Sequence, residues 1–184
     1  GAGGVFPPPK GYLQRLRDIC DRHGILLIFD EVISGFGRLG TAFAYQKFGV
    51  KPDMMTAAKG ITNATVPLGG VFTTGAVREA FLSGPPTMPD LFHGYTYSGH
   101  PLACAAAIAT ADLYRDEGVF ENADAMSGAW EDMLHSLADL PGVIDIRNMG
   151  LVGAVQLESD ETVGARGRAA FEKLWEAGVS CRPI

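Results

Sequence analysis

The sequence predicts an α/β fold, and three observations support this class. Short apolar runs end at charged or glycine-rich turns, as buried parallel strands do. Segments with apolar residues at helical spacing separate these runs, and this order is typical of α/β proteins. The chain has 184 residues, of which 47% are apolar and 20% charged, so it can bury a core.

The first half of the chain is predicted to alternate helices with three strands. The first helix has apolar residues at helical spacing and stops at Gly24. The strands are apolar runs that end at Asp30, at Ala58 and near Thr74. The predicted elements are helix 10–23, strand 26–30, helix 42–48, strand 54–58, strand 68–74 and helix 76–82.

The second half begins with a proline-rich loop over residues 84–95. Pro101 suits the first position of a helix, and Gly118 marks its stop. We therefore expect a boundary there, with residues 1–118 in a large domain and 119–184 in a small α+β domain. The predicted elements are helix 101–115, helix 121–140, strands 143–147 and 151–157, helix 165–177 and a final strand.

Both ends of the sequence suggest a piece of a longer protein. The chain opens with Gly1 instead of Met, and it closes at Ile184, where a strand is expected to end without a cap. We therefore expect a fragment or a processed product.

Composition argues against several classes of function. The net charge is −6 with no cluster of Lys and Arg, which argues against nucleic acid or an anionic membrane as partner. No apolar run approaches the length of about 18 residues that a membrane span needs, and no signal peptide is visible. The distant Cys20, Cys104 and Cys181 favour free thiols in a reducing cytoplasm. The isolated His93 and His100 predict no metal site.

An acid and a lysine follow two neighbouring predicted strands. Asp30 ends the first strand, and Lys59 follows the second strand 29 residues later. Because ligands bind outside the carboxyl ends of such strands, we expect both side chains to face one crevice. A pyridoxal phosphate enzyme needs this pair: a carboxylate to hold the proton on the ring nitrogen, and an amine to bind the cofactor and move a proton.

Other interpretations of these residues stay open. Val32 follows Asp30 by two residues, so an extended backbone would point it to the same side, against the ring. Asp30 could equally cap a turn, or belong to the magnesium-binding strand of a nucleotide hydrolase. That strand needs a G-x-x-x-x-G-K-[ST] loop, which the chain lacks. Taken alone, Lys59 is better explained as a solvated lysine.

A turn before the helix at Pro101 is expected to bind a phosphate. The N-terminus of a helix attracts anions through its free N–H groups and its dipole. Thr96 lies just upstream and adds a hydroxyl donor. Ser98 is expected to cap the same helix, and this role is compatible with phosphate binding.

These signals occur together in an order that resembles the class III (omega) aminotransferase family. The resemblance covers nearly the whole chain. Residues 59–63 followed by 67–70 look most like the omega-amino acid–pyruvate branch of that family. The stretches that carry the resemblance are residues 1–5, 28–38, 58–60 and 93–101.

The resemblance implies a fold, a cofactor and a role for each site residue. The fold would be the fold type I transferase: part of a large, mostly parallel sheet domain and part of a small C-terminal domain. The cofactor would be pyridoxal 5'-phosphate, with Asp30 on the ring nitrogen, Val32 on the ring face and Lys59 bound covalently. Thr96 would hold the phosphate of the neighbouring subunit, because the family builds its site across a homodimer interface.

The family also implies parts that this sequence does not contain. Its members are more than twice as long. Their upstream half carries a Gly-Ser phosphate loop and an aromatic residue that stacks on the ring. Their downstream tail carries an arginine that binds the substrate carboxylate.

We therefore expect amino-group transfer from an amine or omega-amino acid to a keto acid such as pyruvate. The alternatives are another class III enzyme and a catalytically silent fragment. The alternative enzymes are ornithine, 4-aminobutyrate and diamine aminotransferases and glutamate-1-semialdehyde mutase.

Overall fold

A computed structural model describes residues 3–87 and 91–184 of the chain. Gly1 and Ala2, which belong to the stretch 1–5 that carries the family resemblance, lie outside the described residues, as do residues 88–90 of the proline-rich loop. The chain forms two compact units, one over Pro8–Ala123 and the other over Asp124–Ile184 with the N-terminal segment up to Pro7. Within the described ranges, no helix combines the length and apolar character needed to cross a lipid bilayer.

The larger unit has the predicted order of helices and strands. Helix α1 ends where expected, at Gly24, whose left-handed backbone (φ 63°) suits glycine. The strands are shorter than predicted, because the apolar runs continue beyond the residues that pair. The elements are α1 Tyr12–His23, β1 Ile28–Asp30, α2 Ala44–Phe48, β2 Met54–Ala57, a 3-10 turn Lys59–Ile61, β3 Gly70–Thr73, α3 Gly75–Leu82 and α4 Pro101–Asp116.

The three strands form one sheet in the order β1-β2-β3. Strand β1 pairs with β2 in parallel, with Asp30 opposite Thr56, whereas β2 and β3 are antiparallel. The ladder continues one residue past β1, since the Glu31 N–H donates to the Thr56 carbonyl at 2.9 Å. The parallel pair brings the ends of β1 and β2 to the same edge of the sheet, as predicted from the sequence.

One carboxylate ties α1 to the starts of both parallel strands. Asp53 Oδ2 accepts the Leu27 N–H at 2.7 Å and pairs with the Arg17 guanidinium at 2.8 Å. These two contacts hold the pKa of Asp53 below its usual range, with the Leu27 N–H as the larger cause. The link lies between residues far apart in the chain, so it fixes the position of the helix beside the sheet.

The two faces of the sheet differ in exposure. Phe29 packs against a buried cluster of Cys20, Leu27 and Val50 on the α1 side. On the face that carries Asp30, Ile28 is 53% exposed and Val71 is 64% exposed. The described chain therefore leaves an apolar sheet face uncovered around the end of β1.

The second unit is a hairpin with two helices. Gly153 of β5 lies so close to α5 that an added Cβ would come within 2.1 Å of Leu134 Cδ1, so any other residue there would displace that side chain. In the same unit, Arg147 of β4 donates to the Gly4 carbonyl and lies over the Phe6 ring. The elements are α5 Val119–His135, whose residues up to Ala123 belong to the larger unit, β4 Val143–Met149, β5 Val152–Leu157 and α6 Ala165–Glu176.

The predicted final strand does not form. Residues 179–184 have no regular secondary structure, and the described strands offer them no ladder partner. The Val179 N–H instead bonds back to the Leu174 carbonyl at 2.8 Å, as part of the end of α6. An extended, apolar sequence forms a strand only where another strand accepts its backbone hydrogen bonds.

Replacing Asp53 by Asn is expected to lower the free energy of unfolding by about 1–3 kcal/mol at neutral pH, because a charged hydrogen-bond partner is lost. Since folding lowers the pKa of Asp53, its contribution is present above the ordinary aspartate value of about 3.9 and is lost as the pH falls through the lowered value. Urea unfolding at pH 7 and in acid measures both effects.

Asp21→Asn is the matched control, because Asp21 pairs with the same Arg17 but its side chain is 64% exposed. We expect a change of less than about 0.5 kcal/mol from this variant. The role given to Asp53 would be contradicted if both variants lowered the free energy of unfolding equally. It would also be contradicted if the stability of Asp53→Asn fell in acid as much as that of the unmodified protein.

Candidate active site

Asp30 lies at the end of β1 with an exposed side chain. One carboxylate oxygen, Oδ1, accepts the Val32 N–H at 3.0 Å and the Thr56 hydroxyl at 3.3 Å. The other oxygen, Oδ2, accepts no hydrogen bond from the described residues. Asp30 therefore keeps one carboxylate oxygen available while two contacts orient the group.

The structure corrects the argument that linked Val32 to Asp30. Strand β1 ends at Asp30, and Val32 lies in a turn rather than in extended backbone. The alternation of side chains along a strand therefore does not apply to this pair. The link is the hydrogen bond from the Val32 N–H to the Asp30 carboxylate, and it keeps half-buried Val32 beside that group.

Glu31 is the residue of this turn that sequence analysis missed. Its side chain is 1% exposed. Oε2 accepts the Ser34 hydroxyl at 2.6 Å and the Ala44 N–H at 3.0 Å, and Oε1 accepts the Tyr45 N–H at 2.9 Å. The sequence did contain a signal for this role. Glu31 directly follows Asp30, and successive side chains of a strand point to opposite faces of the sheet, so the two acids would face different surroundings.

The contacts of Glu31 fold the glycine-rich loop, residues 34–40, back onto the end of β1. They satisfy two N–H groups at the start of α2, which that helix cannot pair itself. The Gly35 N–H also bonds to the Glu31 carbonyl, and a Cβ on Gly35 would come within 2.7 Å of that oxygen. Glycine is thus required where the loop passes closest to the strand end.

Lys59 follows β2 at the same edge of the sheet as Asp30. Its side chain is exposed, and no hydrogen bond or ion pair joins its ammonium to the described part of the chain. Its backbone is in the left-handed region (φ 51°), which residues with a side chain rarely adopt. The lysine therefore starts a constrained 3-10 turn with its amine available.

Thr96 lies apart from these residues in the described contacts. It begins an exposed turn over residues 96–99, and helix α4 starts at Pro101 as predicted. The predicted capping by Ser98 is wrong, because His100 is the N-cap residue and no side chain caps the helix. No described hydrogen bond joins Thr96 to Asp30 or Lys59.

The fold and these motifs agree with the comparisons with known proteins, which define the family of the chain. The family model for class-III aminotransferases matches residues 1–184. The chain belongs to this family. Omega-aminotransferase of Caulobacter vibrioides is 51% identical over 99% of the chain, and beta-alanine–pyruvate aminotransferase of Pseudomonas aeruginosa is 46% identical over 99%.

Solved structures agree with the fold class. An (S)-enantioselective omega-transaminase from Thermomicrobium roseum matches 100% of the chain with a TM-score of 0.89 and 39% identity. Taurine:2-oxoglutarate aminotransferase from Bifidobacterium kashiwanohense, solved with PLP and glutamate, matches 100% with a TM-score of 0.90 and 38% identity. The chain spans 42% of each of these two structures, 42% of the Caulobacter relative and 41% of the Pseudomonas aeruginosa relative.

Glu31→Gln is expected to destabilise the larger unit by about 1–3 kcal/mol, because an amide NH₂ would face buried N–H donors and leave one unpaired. Urea unfolding measures the effect. Glu117→Gln is the matched control, since Glu117 is exposed at the end of α4. If both variants unfold at the same urea concentration as the unmodified chain, the Glu31 contacts do not stabilise the loop.

Proposed function

We propose that this chain forms part of the active site of a pyridoxal phosphate-dependent aminotransferase. The reaction would move an amino group from an amine or omega-amino acid to a keto acid, with pyruvate as the expected acceptor. The observation that carries the proposal is the placement of Asp30 and Lys59 at one edge of a parallel strand pair, in a chain of this family. The identities to pyruvate-using relatives support the choice of acceptor.

The chemistry of the available groups fits this cofactor. Asp30 offers a free carboxylate oxygen, Lys59 an unpaired amine, and Thr96 an exposed hydroxyl, as judged from the described residues. The residues next to the lysine, Ala57, Ala58 and Gly60, are small, and Phe36 fills the space beside Gly60. When bound, pyridoxal phosphate supplies an electron sink that stabilises negative charge on the substrate carbon.

Each residue would have a distinct task. The Asp30 carboxylate would hold a proton on the ring nitrogen by charge pairing, and Val32 would pack against the ring face. The Lys59 amine would bind the cofactor covalently and, once displaced by substrate, carry a proton between two carbon atoms. Thr96 would bind the phosphate held by a second copy of the chain in a homodimer. We place the enzyme in the cytoplasm.

A second candidate is a class III aminotransferase with another amine donor. Gamma aminobutyrate transaminase 3 of Solanum lycopersicum is 36% identical over 88% of the chain, which favours 4-aminobutyrate among the alternatives. Assays of the full-length enzyme with beta-alanine, 4-aminobutyrate and a simple amine, each with pyruvate, would separate the two candidates.

Lys59→Ala is expected to abolish covalent cofactor attachment and to lower turnover by orders of magnitude. The measurement uses the full-length enzyme that contains this chain. Borohydride treatment with pyridoxal phosphate, followed by peptide mapping, should label Lys59 and leave Lys51 unlabelled. Lys51→Ala is the matched control, because Lys51 is exposed just before β2. A Lys59→Ala enzyme with near-normal turnover would refute the assignment.

Asp30→Asn in the same full-length enzyme tests the proposed pairing of Asp30 with the ring nitrogen of the cofactor. The bound cofactor would cover the Asp30 carboxylate, and breaking one buried charge pair typically costs about 3–5 kcal/mol, so cofactor affinity and rate should both fall strongly. A rate loss of less than about tenfold, or about 1.4 kcal/mol, would show that Asp30 is not the ring partner.

The 184-residue chain by itself is expected to associate and to show no aminotransferase turnover. Its sheet face is uncovered at Ile28 and Val71, and the phosphate loop and stacking aromatic expected in the family lie outside it. Sedimentation of the chain and an amine–pyruvate assay measure the two properties. A soluble chain that transaminates would contradict our view that it is an incomplete enzyme.

A further inference from the structure

The turn that carries Lys59 has an unusual concentration of backbone strain. Lys59, Asn63 and Ala64 all have positive φ angles, of 51°, 49° and 60°. None of them is glycine, so each conformation is disfavoured unless the surroundings impose it. The backbone hydrogen bonds of the turn are long, with the Thr62 and Ala64 N–H groups reaching the Lys59 carbonyl at 3.4 and 3.2 Å. Beyond them, the Thr62 hydroxyl bonds to the Val66 carbonyl at 2.6 Å. The end of the turn that carries Lys59 is therefore held by its own backbone only weakly.

A side chain from a distant helix binds this turn. The Tyr114 hydroxyl in α4 donates a hydrogen bond to the Gly60 carbonyl at 2.7 Å, across 54 residues of sequence. The same carbonyl also accepts the Asn63 N–H at 3.3 Å, so the hydroxyl adds a second donor to it. Gly60 directly follows Lys59, and its carbonyl belongs to the peptide between Gly60 and Ile61, one residue beyond the lysine.

Aromatic packing fixes the Tyr114 ring in place. The ring stacks on Phe36 with centroids 5.9 Å apart and packs against Phe120 at 5.2 Å. Phe36 in turn presses on Gly60, where an added Cβ would come within 2.6 Å of the Phe36 Cβ. The rings of Phe36 and Phe120 thus hold the Tyr114 hydroxyl against the Gly60 carbonyl. Phe36 also packs against Gly60 itself.

We propose that Tyr114 is a positioning residue, whose hydroxyl holds the Gly60 carbonyl and thereby fixes the left-handed backbone that aims the Lys59 amine. This inference rests on the proposed function of Lys59. Burial raises the pKa of the Tyr114 hydroxyl, so the group stays protonated and can donate at neutral pH. The contact would limit how far Lys59 moves between binding the cofactor and carrying a proton.

The test is Tyr114→Phe in the full-length enzyme that contains this chain. The substitution keeps the stacked ring and removes only the hydroxyl. Tyr12→Phe is the matched control, because Tyr12 is 50% exposed at the start of α1. Three quantities are measured: amide hydrogen exchange over residues 61–64 in the cofactor-free protein, the rate at which Lys59 captures pyridoxal phosphate in borohydride trapping, and kcat and KM.

We expect exchange over residues 61–64 to rise about tenfold, equivalent to about 1.4 kcal/mol, in Tyr114→Phe only. Capture by Lys59 and kcat should each fall about tenfold, while KM for the amine stays within about twofold. If the hydroxyl only stabilised the fold, its removal would lower the melting temperature but would not lower kcat while KM stays unchanged.

The outcomes separate the two proposals. If the unmodified enzyme captures cofactor on Lys59 and Tyr114→Phe captures it at the same rate, the positioning role is wrong and the proposed function stands. If the unmodified enzyme captures no cofactor on Lys59, the proposed function fails and the positioning role fails with it. Faster exchange in Tyr12→Phe as well would overturn the specific contact between Tyr114 and Gly60.

Discussion

The carboxyl group of Glu31 is the constraint on which the candidate site depends. Burying a carboxylate costs free energy unless hydrogen-bond donors surround it. Here one hydroxyl and two backbone N–H groups donate to Glu31. These donors come from the loop and from the start of α2, so the loop must return to the end of β1. That return leaves the neighbouring Asp30 on the exposed side, with one oxygen held by Val32 and Thr56 and the other free.

A second constraint acts on the lysine. Strand β2 ends beside β1 because the two are parallel, and Asp53 secures the start of the pair by its contacts with Leu27 and Arg17. Beyond the strand, the backbone bends into a left-handed residue at Lys59. Strain of this kind persists where surrounding contacts determine it, and it is found preferentially at functional sites. The acid and the lysine are therefore positioned by different means at one sheet edge.

Much of the fold follows from local patterns in the sequence. Helix α1 ends at Gly24, α4 begins at Pro101, and the three strands of the first sheet lie within the predicted apolar runs. The sequence predictions were wrong where strand pairing or tertiary packing decides the local structure. Residues 179–184 look like a strand but find no ladder partner, and Ser98 precedes the helix without capping it. The expectation that Asp30 and Val32 share a side assumed an extended backbone, but the strand ends at Asp30, two residues before Val32.

The sequence by itself determined the class of protein, because the order of strand ends, glycine-rich loop and lysine is read along the chain without knowledge of contacts. It also identified Asp30 and Lys59 as candidates, since both follow apolar runs. Only the tertiary structure revealed that Glu31 organises the loop and that Tyr114 holds the lysine turn. Both depend on contacts between residues 13 to 54 positions apart, and periodicity, which reports on neighbours along one element, carries no information about such contacts.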